Sequence, residues 1–205
     1  LGALGFWASE SSPALDPSVA APLLIEALKD RSAGVRVAAA GALGPWAIGS
    51  VGVVDAVVQA LDDEEAWVRA NAIRAVQRVG SPNSAVIAGL SRRLGDSDRW
   101  STNGTITIRR SAAQVLGTLG TEARAAVPAL ERLMTAEPWI TNSSISDAHD
   151  AHFPGRGPYV TEWLEEARLE AAKSIWRITS DPDLVLPFLI ERLQSTQVTT
   201  FHAQI

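Results

Sequence analysis

The sequence predicts an all-α chain built as a stack of helix pairs. Three observations predict it: a ten-residue phrase that recurs four times, an amphipathic helix before each copy, and an acidic turn between the two in the first three copies. The phrase reads VRVAAAGALG from Val35, VRANAIRAVQ from Val68, IRRSAAQVLG from Ile108 and ARLEAAKSIW from Ala167. Its second position is Arg36, Arg69, Arg109 and Arg168, its fifth Ala39, Ala72, Ala112 and Ala171, and its ninth Leu43, Val76, Leu116 and Ile175. In residues 61–80, Val68, Ala72, Ala75 and Val76 fall at i, i+4, i+7 and i+8, which is one face of a helix.

The element before each phrase is a second helix, here called helix A, and the phrase itself is helix B. The A helices are predicted over 17–29, 51–61, 84–94, 123–134 and 184–193. Asp16 suits the N-cap of the first and Pro17 its N1 position. Leu24/Leu28, Val57/Leu61, Leu90/Leu94 and Leu189/Leu193 form i, i+4 apolar pairs, while in the fourth helix Leu130 can pair with Leu133 or Met134. The opening residues Ala3, Leu4, Gly5, Trp7 and Ala8 match Ala42, Leu43, Gly44, Trp46 and Ala47. One array over 1–205, entered part-way through a repeat, is therefore expected. The last stretch, STQVTTFHAQI, is rich in strand-forming residues and reads as a tail or the start of another element.

The pattern L-x-x-x-L-x-D, then V-R-x-x-A-x-x-A-L-G, fits best at Leu28–Asp30 and at 35–44. It resembles HEAT repeats, in particular the short bacterial variety typified by phycobilisome-lyase-like repeats, and the resemblance covers nearly the whole chain. It implies a right-handed α-solenoid in which helix B lines the concave face. It also implies that the recurring arginine pairs with the turn aspartate in a ladder between repeats: Asp30, Asp63 and Asp96 with Arg36, Arg69, Arg109 and Arg168. The fourth repeat has Thr135 or Ala136 where the aspartate belongs, so the ladder is weakest at Arg168. The physical logic is that one helix pair cannot bury its own stripe, whereas stacked pairs share a continuous core. The invariant alanine permits close approach, and a larger side chain there would overpack by ~1–3 kcal/mol.

The spacing then breaks. Arg36 to Arg69 is 33 residues, Arg69 to Arg109 is 40, and Arg109 to Arg168 is 59. The surplus falls between helix A and helix B, at about 96–107 and 136–160. Such turns emerge along one edge of a solenoid, where insertions in consecutive repeats become neighbours and mark a binding face.

Composition sets broad bounds. The net charge of −5 neither requires nor excludes a nucleic-acid partner. With no cysteine there is no disulfide, thiolate nucleophile or cysteine-ligated metal, which fits a reducing compartment such as the cytoplasm. No apolar run approaches the ~18 residues of a membrane span.

The candidate binding residues lie in two places. The insertions and their flanks hold Trp100, Trp139, His149, His152, Phe153, Arg156, Tyr159 and Trp163, and aromatic residues dominate binding hot spots. The outward positions of helix B hold Arg74, Arg78, Arg110, Lys173 and Arg177, and the first three B segments contain no acid. Asp147, His149, Asp150 and His152 are metal-ligating types within six residues. Zinc, however, needs three or four ligands held by rigid elements, so the expectation is a polar loop without a metal. No base–nucleophile pair is present to suggest catalysis, and no cofactor is called for. The reading is a non-enzymatic scaffold binding a protein or peptide. The alternatives are a nucleic-acid-binding solenoid resembling the HEAT-fold DNA alkyl-base glycosylases, and a phycobilin-lyase-type protein.

Overall fold

The computed structural model describes residues 17–44, 51–78, 83–96, 108–136 and 159–202. Among them there is no strand. The helices are α1 (Pro17–Ala27), α2 (Ala33–Leu43), α3 (Val51–Ala60), α4 (Ala66–Val76), α5 (Ser84–Arg93), α6 (Ile108–Thr118), α7 (Val127–Met134), α8 (Tyr159–Thr179) and α9 (Leu186–His202). The chain's internal contacts divide it into two compact units, Leu1–Val115 and Leu116–Ile205.

In the first unit α1 packs on α2 and α3 on α4, while α1 also meets α3, α3 meets α5, and α2 meets α4. Helices A thus form one layer and helices B the other. Ala39, Ala72 and Ala112 are completely buried, as are Leu43, Val68 and Ile108. Asn71 of α4 reaches Val37 O of α2 at 3.4 Å, alongside Gly41. The turns are built by local capping. Asp30 accepts from Ser32 N–H at 2.7 Å and Asp63 from Glu65 N–H at 2.8 Å. Glu65 and Asn83 then cap α4 and α5 by accepting from Trp67 N–H and Val86 N–H, which satisfies donors the helix itself leaves open.

In the second unit α7 and the 3-10 turns Gly120–Ala126 and Pro182–Leu184 pack on α8. Gly117, near the end of α6, lies against Ser174 of α8. A Cβ at Gly117 would sit 2.5 Å from Ser174 Oγ and 3.1 Å from its Cα. Among the described residues of the unit this is the one close approach that only glycine allows. Ser180, at φ 55°, ends α8 in the left-handed region, and its N–H returns to Trp176 O at 2.8 Å.

Three elements differ from the sequence expectation. The fourth helix A was expected over 123–134. It begins as a 3-10 turn and becomes α-helical only at Val127, with Pro128 in the first turn, where its missing N–H costs nothing. Leu130, Leu133 and Met134 are then all buried, so both candidate pairings face the core. The fourth helix B starts at Tyr159, eight residues before the phrase at Ala167, so Tyr159 and Trp163 belong to α8. Finally, α9 runs on to His202 through the β-branched Val198, Thr199 and Thr200. Each such residue costs at most ~0.7 kcal/mol in a helix, and extending a nucleated helix gains a hydrogen bond per residue.

Candidate functional site

The recurring arginine is the fixed point of every described repeat. Arg36 is buried on α2. Its Nη1 donates to Asp30 O and Arg31 O, while Nε and Nη2 clasp Asp63 of the following repeat at 2.8 and 3.0 Å. Arg69 repeats this on α4. Its Nη1 donates to Asp63 O and Glu64 O, and its fork clasps Asp96 at 2.7 and 3.2 Å. Each guanidinium therefore ties down its own A–B turn and reaches the carboxylate of the next one. Hydrogen bonding to Asp63 raises Arg36 above the usual arginine range, more than its desolvation lowers it.

The other two arginines keep the first half of this pattern. Arg109 donates through Nε to Asp96 O, and Arg168 through Nε to Met134 O at 2.8 Å. Burial pushes Arg109 below the usual arginine range, partly offset by the charge of Asp96. Arg168 finds its carboxylate on its own helix instead, donating to Glu165 at 2.8 Å, and lies 5.1 Å over the ring of Phe188. Glu165 also meets Arg192 of α9. These two partners were missed by sequence reasoning. Glu165 was recoverable as an i, i+3 neighbour of Arg168, whereas Phe188 comes from another helix and leaves no local signal.

A second set of ion pairs links the A layer. Arg92 and Arg93 at the end of α5 both donate to Asp62, at 2.6 and 3.0 Å, and Arg93 also reaches Asp96 at 3.2 Å. Hydrogen bonds from Arg92 hold the Asp62 carboxyl below the ordinary carboxylate range. Asp96, with its side chain 4% exposed, is thus clasped by Arg69 and Arg93 together at the point where the chain leaves for the 96–107 insertion.

The outward faces of helix B carry the charged candidates. In the first unit Arg74 is exposed on α4 and Arg78 just beyond it, while Arg110 on α6 is half-buried. Arg78 lies across Gly44 at the end of α2. In the second unit Lys173 and Arg177 are exposed on α8 on either side of Trp176, which is 49% exposed. Beneath them Glu170 is 7% exposed, 3.5 Å from Lys173 Nζ and 3.6 Å from Arg177 Nη1. Sequence reasoning placed Trp176 at the end of an apolar phrase and gave it no role. Its exposure depends on which way the helix turns, one step past buried Ile175.

Trp100, Trp139, His149, His152, Phe153 and Arg156 lie outside the described residues, as do the metal-ligating types Asp147 and Asp150. The side chains of Tyr159 and Trp163 also lie outside what is described. Among the described residues no group of three or more His, Asp or Glu is placed to hold a metal, and no helix is long and apolar enough to cross a membrane.

A family model for HEAT repeats matches residues 21–106. Over these residues the chain is a HEAT-repeat array. Past residue 106, Arg109 and Arg168 each still donate to a backbone carbonyl at the end of the preceding helix A, Asp96 O and Met134 O. Among solved structures, the HEAT array is similar to the complex of CpcE and CpcF of phycocyanin lyase from Nostoc sp. PCC7120. The identity is 26% and the TM-score 0.51, over 87% of this chain and 70% of that one. It is also similar in fold to an engineered protein at 18% identity and TM-score 0.50, over 93% of this chain and 83% of that one. No curated protein matches the chain.

Proposed function

We propose that this HEAT array is a non-enzymatic scaffold that captures a protein or peptide on its helix-B face and its two insertions. The observation that carries the reading is the cluster on α8: a half-exposed Trp176 flanked by Lys173 and Arg177, both drawn toward the nearly buried Glu170. Trp and Arg are the residues most enriched at binding hot spots. Two long cations steered by one buried carboxylate lose less freedom on binding than free surface cations do. The cluster suits a segment that offers an apolar side chain beside an acidic one. Arg74 and Arg78 extend the same chemistry in the first unit.

The test is cross-linking mass spectrometry of the full chain in its own cells. Cross-links from Lys173 to a partner protein are expected to vanish in Trp176→Ala and in Arg177→Glu, with helicity unchanged. A salt-dependent mobility shift on duplex DNA, lost in an Arg74→Glu, Arg110→Glu, Lys173→Glu variant, would replace this reading with the nucleic-acid one. A phycobilin-lyase-type role is favoured by the likeness to the Nostoc complex. It requires that adding a free phycobilin to the protein produce a saturable absorption change.

A further inference from the structure

In the first unit α4 shows solvent a single stripe. Of its residues from Val68 to Val76 only Asn71 and Arg74 are not buried. With half-buried Trp67 before them and exposed Arg78 just beyond the helix, they fall at i, i+4, i+7 and i+11, one line along the helix. Helix α4 is already packed on α2 and α3. The stripe is therefore the outer surface of the helix-B layer within the array, and its exposure owes nothing to where an array starts or stops. At the matching positions of α2 stand Gly34, Ala38 and Gly41. A ridge of long side chains thus borders a strip that has almost none.

Two of the ridge side chains reach over that strip. The Asn71 amide lies beside Gly41, its Cγ, Nδ2 and Oδ1 at 3.8, 3.9 and 3.9 Å from where a Cβ would stand. Arg78 lies across Gly44, its Nη1 2.5 Å from the Cβ position there. Among the described residues the Asn71 amide makes one bond, Nδ2 to Val37 O at 3.4 Å, which is beyond the usual limit of about 3.2 Å. It keeps a second N–H and Oδ1, the donor and the acceptor that a peptide unit of an extended chain can use. Neither α2 nor α4 contains an acid.

We propose that the strip between α2 and α4 receives an extended acidic segment of a partner protein, with carboxylates on alternate residues meeting Arg74 and Arg78 and the backbone meeting the Asn71 amide. Arg74 and Arg78 stand four residues apart on one line, about 6 Å at 1.5 Å per residue. Alternate residues on one face of an extended chain stand about 6.7 Å apart, so the two spacings match. A helical segment would keep its backbone behind its own side chains, out of reach of Asn71, whereas a floor of glycine lets an extended backbone come close. Charge argues against a nucleic-acid strand. Glu64, whose side chain is 86% exposed, and Glu65 precede Trp67 at the other end of the stripe, where a continuous phosphate backbone would meet them. The inference rests on the reading that the helix-B face captures a partner, and it supplies that partner's chemistry in the first unit without using any residue of α8.

The probe is a fluorescein-labelled peptide of alternating glutamate and threonine, about twelve residues long, in which the β-branched threonines favour an extended chain. It is titrated with the full chain and followed by anisotropy. Saturable binding with a Kd on the order of 100 μM is expected, weaker in about 0.5 M salt. Replacing every glutamate of the peptide by glutamine, which leaves the protein untouched, should abolish it. Arg74→Gln with Arg78→Gln should weaken it by roughly tenfold or more, and Asn71→Ala by about fivefold, the worth of one hydrogen bond. Gly41→Leu should weaken it as well, because it puts a side chain on the strip without changing any charge. Gly41 is exposed and leucine is the better helix former, so that variant keeps its circular dichroism. Absence of saturation at about 1 mM protein, where a Kd of that order would be plainly seen, overturns the proposal. So does binding indifferent to both Asn71→Ala and Gly41→Leu, and so does a tighter complex with an oligothymidylate that the arginine variant abolishes. If the peptide fails while the Lys173 cross-links stand, this inference falls alone; if both fail, the helix-B reading falls with it.

Discussion

Replacing Asp96 with alanine removes a carboxylate that two arginines share. Its side chain is 4% exposed and accepts from Arg69 Nε at 2.7 Å, Arg69 Nη2 at 3.2 Å and Arg93 Nη1 at 3.2 Å. Breaking a buried ion pair from one side typically costs about 3–5 kcal/mol, because the remaining charge stays buried without compensation. Here Arg69 keeps its bonds to Asp63 O and Glu64 O, and Arg93 keeps Asp62. The loss should therefore lie at the low end, about 3 kcal/mol. For a chain of this size that is a fall in Tm of roughly 6–12 °C. Thermal melts followed at 222 nm and by tryptophan fluorescence measure it. A double variant, Arg69→Met with Asp96→Leu, should recover most of the loss, since apolar residues of similar volume often replace a buried pair at no net cost. A single-variant loss below about 1 kcal/mol, the value for exposed pairs, would mean that Asp96 is solvated and would refute the reasoning.

Three further outcomes follow from the same geometry. Asp62 has a folded pKa below its unfolded one, so its contribution to stability is present above the ordinary carboxylate pKa of about 3.9 and is lost as pH falls through the lowered folded value. With its side chain 44% exposed that contribution is under about 1 kcal/mol, and the gap between parent and Asp62→Asn melts should close in acid and shrink in about 1 M salt. Gly117→Ala should destabilise the second unit by about 1–3 kcal/mol through overpacking against Ser174, and adding Ser174→Gly should restore part of it in urea titrations. Phe188→Leu keeps the volume apolar but removes the ring under Arg168, so a loss of about 1–2 kcal/mol is expected, and Arg168→Met should make the two replacements non-additive.

Much of the fold was legible because its signal is repeated. Four copies of the arginine and alanine columns fix helix identity and register far better than any single helix could. Where the signal is local, as in Asp30 and Asp63 building their turns, the sequence also sufficed. What it could not show depends on neighbours. Asp62 is as acidic in the sequence as Asp63, yet it serves Arg92 and Arg93 while Asp63 serves Arg36. The strand-forming tail of α9 became helix because a nucleated helix overrides weak propensities. Trp176 became a candidate contact only once its side of α8 was known. The candidates in the insertions depend on residues that share no repeat column, so no internal comparison informs them.

The arginine column also explains how the array tolerates insertions of such different length. Arg36 and Arg69 reach back six residues to the carbonyl that ends their turn, Arg109 reaches back 13 and Arg168 reaches back 34. In three of the four the acceptor is the turn aspartate's carbonyl, and for Arg168 it is Met134 O two positions earlier in the repeat, so helix B is tied back to the end of its helix A in each described repeat. Loop-closure entropy grows only by about 0.6 kcal/mol per doubling of length, so going from six residues to 34 costs roughly 1.5 kcal/mol. That is less than the burial of one leucine such as Leu116, at about 1.5–3 kcal/mol. Packing of the pair absorbs it, and the inserted sequence is left free to vary without endangering the repeats that carry it.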